Sequence, residues 1–413
     1  MREYLPSFLF RIGRPALRSR NNELSSVFFA LILSYAPLMG IVIFVYNPYP
    51  QLPTRQPIPM STRNILILGA SYGSLLATKL LFTGHRLHLV CLPPEAQLIN
   101  REGTVLRIPV KGREGLVEIR SHDLPGQLSA GAPGEVNPSE YDLVALAMQE
   151  PQYRVPEVRQ LLAAVAKARV PCLSIMNMPP LPYLERIPGL DAKGCRDCYT
   201  DASVWDAFDS DLVTLCSPDP QAFRPPEEAL NVLQVRLPTN FKAAAFADDA
   251  HTAMLRELAA DIEAARFETS DGELELPVKL KVHESVFVPL AKWSMLLAGN
   301  YRCIEPQSIR SIKEAVHGDL DASQAIYEWV VSLCLSLGAK RDDLVPFEKY
   351  ANAALSLQSP SSAARAIDAG VPYIERVDQL VQTVAAQQQL HHPTIDHIVS
   401  TVDQRLIHNR ATA

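Results

Sequence analysis

The sequence lacks a disulfide framework: its seven cysteines are odd in number and scattered over 413 residues, the pattern of a reduced compartment. It has no basic excess either. A net charge of −6 leaves no electrostatic footprint for a nucleic acid. Internal repeats and low-complexity tracts are missing, which excludes solenoids and fibrous assemblies. One C-x-x-C exists, Cys195 and Cys198, without a second pair at metal-ligand spacing. It is expected to be structural, with a redox pair as the alternative, and no metal centre is expected. Disorder is excluded because 47 % of the residues are hydrophobic, enough to build proper cores.

Charge is missing altogether between residues 24 and 54. Within that stretch "VFFALILSYAPLMGIVIFV" (27–45) is long enough to cross a bilayer. Arg2, Arg11, Arg14, Arg18 and Arg20 precede it against only Glu3 and Glu23, a positive-inside flank. Two readings stand side by side. Residues 1–59 are a membrane anchor with the N-terminus inside, or they are an over-extended start before "MSTRNILILGAS" at Met60, in a cytoplasmic protein.

Beyond Met60 the pattern is α/β. "NILIL" is an apolar strand, a small-residue turn comes next, a helix is expected from about Ser74 to Phe82, and "RLHLVCL" is a second strand. That is a βαβ unit, hence a parallel sheet with right-handed crossovers. "YDLVALAM" and "PCLSIMN" are further buried strands, so residues 60–280 are expected to form a doubly wound, Rossmann-type domain. From 281 to 413 the pattern is helical: 284–299, 308–316, 319–337, 346–356, 361–369, 373–388 and 393–408.

Two places carry chemistry. "GASYGS" is a variant of the G-x-G-x-x-G fingerprint, in which Gly69, Ser71, Tyr72, Gly73 and Ser74 would bring backbone close to a pyrophosphate. Glu95 is the nearest acid for a ribose hydroxyl, displaced by Pro93 and Pro94. The second place is Lys292, one cation among Leu290, Trp293, Met295, Leu296 and Leu297. It either snorkels or serves as a tuned acid beside a cofactor.

Taken together, a Rossmann domain, Asn177 after a later strand, a helical domain opened by Lys292 with Asn300 eight residues on, and "SSA" at 361–363 resemble the ketopantoate reductases (2-dehydropantoate 2-reductases). The resemblance covers about 60–410 and implies a helical domain of the 6-phosphogluconate-dehydrogenase type. It implies NADP, with NAD open, and reduction of 2-dehydropantoate or another small 2-oxo acid, in a chain that can pair as a homodimer. It also implies Lys292 as proton donor, substrate contacts from Asn177, Asn300, Ser362 and Glu375, and cofactor contacts from Gln149 and Asn177. Several positions depart from the family: Gln149 and Leu296 replace a lysine and an asparagine, and Met-Pro-Pro follows Asn177. The family's glutamate aligns with Ile374, so that Glu375, one residue on, would be rotated roughly 100° on the expected helix. Two other readings remain on the same plan: an opine- or hydroxyacid-type dehydrogenase, and a dinucleotide-binding protein without turnover.

Overall fold

The structure is a computed structural model that describes residues 62–269 and 272–412; the apolar stretch 27–45 and the rest of 1–59 lie outside the described residues. Among the described residues no helix is long and apolar enough to cross a membrane. Residues 61–413 form one compact unit.

Its centre is β1 (Asn64–Leu68), whose last four side chains are buried. Such a continuous apolar run suits a strand covered on both faces. On one side β1 pairs in parallel with β2 (Arg86–Val90), which pairs with β5 (Gln127–Gly131). On the other side come β6 (Leu143–Leu146), β7 (Cys172–Ile175) and β8 (Val213–Ser217), also parallel. The chain thus leaves β1 in one direction and returns in the other. This reversal opens a crevice at the carboxyl ends of β1 and β6. The sheet is not wholly parallel: β11 (Phe241–Ala244) runs antiparallel to β8, and β14 (Leu280–His283) adds to it in parallel at the edge.

A second sheet was not legible in the apolar pattern. β3 (Val105–Pro109) and β4 (Leu116–Arg120) form a hairpin that joins β10 (Val232–Leu237) and β9 (Gln221–Phe223), in the order β4-β3-β10-β9. A small hairpin, β12 (Phe267–Thr269) with β13 (Gly272–Leu274), stands apart. The second sheet packs on α1 (Ala70–Leu81), ten of whose twelve residues are buried. The helix therefore starts at Ala70, directly after Gly69, and not near Ser74 as expected. α2 (Pro93–Glu102), α3 (Pro156–Ala168) and α4 (Asp249–Ala264) complete the α/β part.

The helical part begins at Pro289. One segment runs through a 3-10 turn (Pro289–Ala291), an α turn (Lys292–Met295), a π turn (Leu296–Asn300) and another 3-10 turn (Tyr301–Cys303). Helices then span Ile312–His317, Leu320–Ser336, Phe347–Ala354, Ser362–Asp368, Val377–Gln387 and Pro393–Thr412. One apolar core runs from Leu66, Val144 and Leu215 through Leu297 to Tyr327 and Val381. It joins the sheet to the helices without a break.

Gly73 shows how tightly α1 sits on the sheet. A Cβ there would lie 2.6 Å from Ile67 Cγ2 and 3.4 Å from the Ala147 methyl. Gly73→Ala is therefore expected to lower stability by about 1–3 kcal/mol through overpacking, read as a fall in the denaturation midpoint. A variant as stable as the parent would mean that helix and strand have room to part.

Candidate functional site

Where β6 and β7 end, the helical part closes a cavity lined by Gln149, Asn177, Leu296, Asn300, Tyr301, Ser362, Ala363, Ile374 and Glu375. The structure thus brings together Gln149, Asn177, Asn300, Ser362 and Glu375 from widely separated parts of the sequence. The sheet supplies Gln149 and Asn177 from the loops after its strands. The π turn carries Leu296 and Asn300, and the start of the Ser362 helix carries Ser362 and Ala363. Ser361 holds that start in place, donating to Asn300 O (2.7 Å) and accepting from Ala364 N–H (3.1 Å). It is the helix cap, while Ser362 faces the cavity.

Glu375 lies in a non-helical stretch, because the last-but-one helix begins at Val377 and not at 373. The helical rotation argument therefore fails, and Ile374 and Glu375 both reach the cavity. The Glu375 carboxylate accepts from Asn177 Nδ2 (3.1 Å) and from Glu150 N–H (3.4 Å). Its carbonyl accepts from the Tyr301 hydroxyl (2.5 Å), which in turn accepts from Val377 N–H (3.0 Å). Asn177 Oδ1 is buried and accepts no hydrogen bond among the described residues. Such an orphaned acceptor in a cavity wall suits a ligand that brings a donor.

Electrostatically the cavity is unusual. Burial pushes the Glu375 carboxyl above the ordinary glutamate range, against the pull of Asn177 and nearby backbone N–H groups. Glu150, one residue beyond Gln149, is buried too, and desolvation raises it to about 7 although the Thr200 hydroxyl and N–H pull it down; Glu375 pushes it further up. Its two oxygens accept from Thr200 N–H (2.9 Å) and Thr200 Oγ1 (3.0 Å).

The fingerprint residues divide. Gly69 has φ 101°, a conformation that favours glycine, and caps α1 without any side-chain bond or first-turn acid. A Cβ on it would meet Met148 Cγ at 2.6 Å and Ala147 O at 2.8 Å. Ser71 is exposed. The other three are engaged within the protein. Tyr72 donates to Pro220 O (2.7 Å) and sets its ring edge-on to Phe241, Gly73 packs on Ile67, and Ser74 bonds Ala70 O. A helix N-terminus without a side-chain cap, at the sheet's switch point, fits a dinucleotide phosphate. Glu95 is not available for a ribose: it is buried and ion-paired with Arg224. That partner comes from beyond β9 and was invisible in local spacing.

Lys292 is not among the residues that line the cavity. It sits one turn before Leu296, on the same helix face, and donates to Pro218 O (3.0 Å) and Asp219 Oδ1 (3.2 Å). Lys242 meets the other Asp219 oxygen at 3.0 Å. Burial pushes the Asp219 carboxyl up, but Lys292, Lys242 and the Ser217 hydroxyl together hold it below the usual aspartate range. Lys292 is thus neither a free snorkeling side chain nor an isolated ammonium. The thiols of Cys195 and Cys198 are free and buried. They contact Gln387 (3.6 Å) and Thr383 (3.3 Å), packing their turn on the Val377–Gln387 helix. Among the described residues no cluster of His, Cys, Asp or Glu could hold a metal ion.

Comparison with protein-family models finds no match, and comparison with curated sequences finds none either. Solved structures do match. A 2-dehydropantoate 2-reductase from Methylococcus capsulatus superposes with a TM-score of 0.57 over 84% of this chain and 97% of that one, at 13% identity. A ketopantoate reductase from Ralstonia eutropha gives 0.53 over 84% and 99%, at 16% identity. The chain has the fold of these reductases. A D-mandelate dehydrogenase, solved with NADH and anilino(oxo)acetate, gives 0.54 over 84% and 99%, at 12% identity. The expected architecture, a Rossmann-type domain followed by helices, is the observed one.

Sequence reasoning missed Glu150, Tyr301 and Asp219. Glu150 had a readable signal, an acid directly after a buried strand; the other two are defined only by partners far along the chain.

These contacts lead to two expected outcomes. Lys292→Met leaves buried Asp219 with Lys242 and the Ser217 hydroxyl, so stability should fall by about 1–3 kcal/mol in denaturant titration; an unchanged or higher midpoint would show the pair to be idle. Glu150 has a raised folded pKa, so between its ordinary value and about 7 the folded state holds the extra proton. Its contribution to stability therefore falls as pH rises through that window. Glu150→Gln should flatten this decline, by up to about 3 kcal/mol at the alkaline end, in stability measured across the acid-to-neutral range. An unaltered pH profile would overturn the assignment.

Proposed function

We propose that the chain is a nicotinamide-dependent reductase acting on the carbonyl of a small 2-oxo acid, in the manner of a ketopantoate reductase. The observation that carries the reading is the convergence of Gln149, Asn177, Asn300, Ser362 and Glu375 on one cavity at the carboxyl ends of β6 and β7. That edge is where doubly wound sheets bind ligands. The names of the similar structures support the substrate class, since ketopantoate is a 2-oxo acid and anilino(oxo)acetate likewise carries a carbonyl beside its carboxylate. NADP is the first expectation and NADH the alternative; the pairing of Glu95 with Arg224 removes the acid that a ribose diol would need.

The chain's own contributions derive from its contacts. The first-turn amides of α1 would hold the pyrophosphate, set at the sheet edge by the close packing that Gly69 permits against Met148 and Ala147, with Ser71 offering a hydroxyl. Gln149 and Asn177 would face the nicotinamide end. When bound, the reduced cofactor supplies the hydride. Asn177 and Asn300 would donate to the carbonyl oxygen, lowering the cost of its developing charge. Ser362 would take the substrate carboxylate.

The test is oxidation of NADPH and NADH with ketopantoate and a panel of 2-oxo acids, alongside cofactor affinity by calorimetry. Turnover with at least one acid is expected, and Asn177→Ala should lower kcat/KM by about ten- to a hundredfold, the loss of one buried hydrogen bond. Cofactor binding without oxidation of any carbonyl would favour the non-catalytic reading.

A further inference from the structure

Reduction of a carbonyl needs a proton as well as a hydride, and the resemblance to ketopantoate reductases assigns that proton to Lys292. The lysine is not left to find its own place. Its ammonium donates to Pro218 O (3.0 Å) and Asp219 Oδ1 (3.2 Å), both in the "SPDP" loop at the end of β8. We propose, on the reading given above, that Asp219 is a positioning residue for the proton donor: it fixes the Lys292 ammonium at the carboxyl edge of the sheet, beside the cavity, while Lys242 holds its other oxygen.

The geometry supports this in three ways. First, β7 and β8 pair in parallel with Ile175 opposite Cys216. Two residues further on, Asn177 and Pro218 leave the sheet at the same level, on strands spaced about 4.8 Å apart. The ammonium bound to Pro218 O thus stands one strand over from Asn177, which lines the cavity. Leu296 and Asn300, one and two helical turns beyond Lys292, line it as well. Second, the loop is held stiffly. Pro218 and Pro220 restrict the backbone on either side of Asp219, Asp219 N–H donates to Ser217 O (2.9 Å), and Pro220 O accepts from the Tyr72 hydroxyl (2.7 Å). Tyr72 lies in the first turn of α1, so one loop ties the helix start that would take the cofactor to the lysine that would meet the substrate. Third, Asp219 has two cations, although only 13 % of its side chain is exposed. Lys292 and the Ser217 hydroxyl meet Oδ1, and Lys242 meets Oδ2 at 3.0 Å. Burial pushes the carboxyl up, but these groups hold it below the usual aspartate range. Lys242 leaves Asp219 with a counterion when Lys292 turns toward a ligand, so the movement strands no buried charge.

The step balances. As the carbonyl carbon takes up the hydride, its π electron pair moves to oxygen. A Lys292 N–H bond breaks as the new O–H bond forms. Lys292 is left as a neutral amine, which regains a proton from solvent before the next cycle. Asp219 stays a carboxylate throughout.

A positioning role and a mere contact between sheet and helices predict different results. Asp219→Asn keeps the shape and loses the charge, so kcat should fall about ten- to a hundredfold, with KM and cofactor Kd within a few-fold of the parent. Lys292→Met should lower kcat about 10²–10⁴-fold. Adding Asp219→Asn to it should lower kcat no further, because the carboxylate acts only through the lysine. The double variant removes both members of the pair, which keeps this comparison available if the single loss of charge upsets folding. Without cofactor or substrate, reductive methylation read by peptide mass spectrometry should modify Lys292 several-fold faster in Asp219→Asn than in the parent, since the ammonium is no longer held. Full kcat in Asp219→Asn, losses that multiply in the double variant, or unchanged labelling of Lys292 would each overturn the proposal and leave the pair a structural contact. If the parent turns over no 2-oxo acid, the functional reading itself fails and the proton role goes with it. Faster labelling in Asp219→Asn then still shows the pair to be intact in the parent, which tells that result apart from a misplaced lysine.

Discussion

A carboxyl group that is withdrawn from water has to be satisfied by the protein, and that of Glu375 is satisfied from two strand ends while its backbone carbonyl is held by a third part of the chain. Asn177 comes from the end of β7 and the Glu150 N–H from the end of β6, and Tyr301, from the segment that begins the helical part, donates to the Glu375 backbone carbonyl. An unmet buried carboxylate is expensive enough to be incompatible with a marginally stable fold. The requirement therefore fixes how the strand ends stand against the helices. The cavity is what remains between them once those bonds are made. The same interactions that hold the two layers in register also build its wall, so packing and site cannot be separated at this point.

The opposite wall of the crevice is set by a steric constraint. Gly69 has Met148 and Ala147 so close that a side chain there has no room, and Gly73 sits directly on Ile67. α1 is thereby pressed onto β1 and β6, while the second sheet covers it from outside. One consequence is that helical N–H groups begin at residue 70, right at the sheet's carboxyl edge. A helix that began near Ser74 would have placed them about one turn further away.

The fold was legible because its signals are local. Apolar runs such as Ile65–Leu68 and Leu143–Leu146 are buried on both faces, and the helical spans after residue 300 repeat every three to four positions. The polar cavity residues were legible through a resemblance and not through physics, since an asparagine after a strand looks like any turn residue. Tyr72, Gly73 and Ser74 have a second use that local sequence did not show. Their partners are Pro220, Ile67 and Ala70; the second sheet that covers their helix is assembled from residues 105–120 and 221–237. A fingerprint specifies small residues but not whether the smallness serves a ligand or a neighbouring strand.

The lysines make the same point about charge. An ammonium in an apolar run drew attention to Lys292, yet its fate is decided by Asp219, in the short "SPDP" loop 73 positions earlier. Lys79, in the equally apolar "LLATKLLF", is the more deeply buried cation. Desolvation lowers it to about 7, with Lys279 adding to the effect and Glu263 and Glu275 opposing it, and its ammonium reaches Pro277 O at 3.0 Å. Local sequence reports how costly a charge would be if left alone. Only the tertiary fold reports whether it is left alone, because counterions are recruited from any distance along the chain. For this protein that distinction moves attention from the conspicuous cation to the groups that hold it, since Pro218 O and Asp219 fix the Lys292 ammonium at the end of β8.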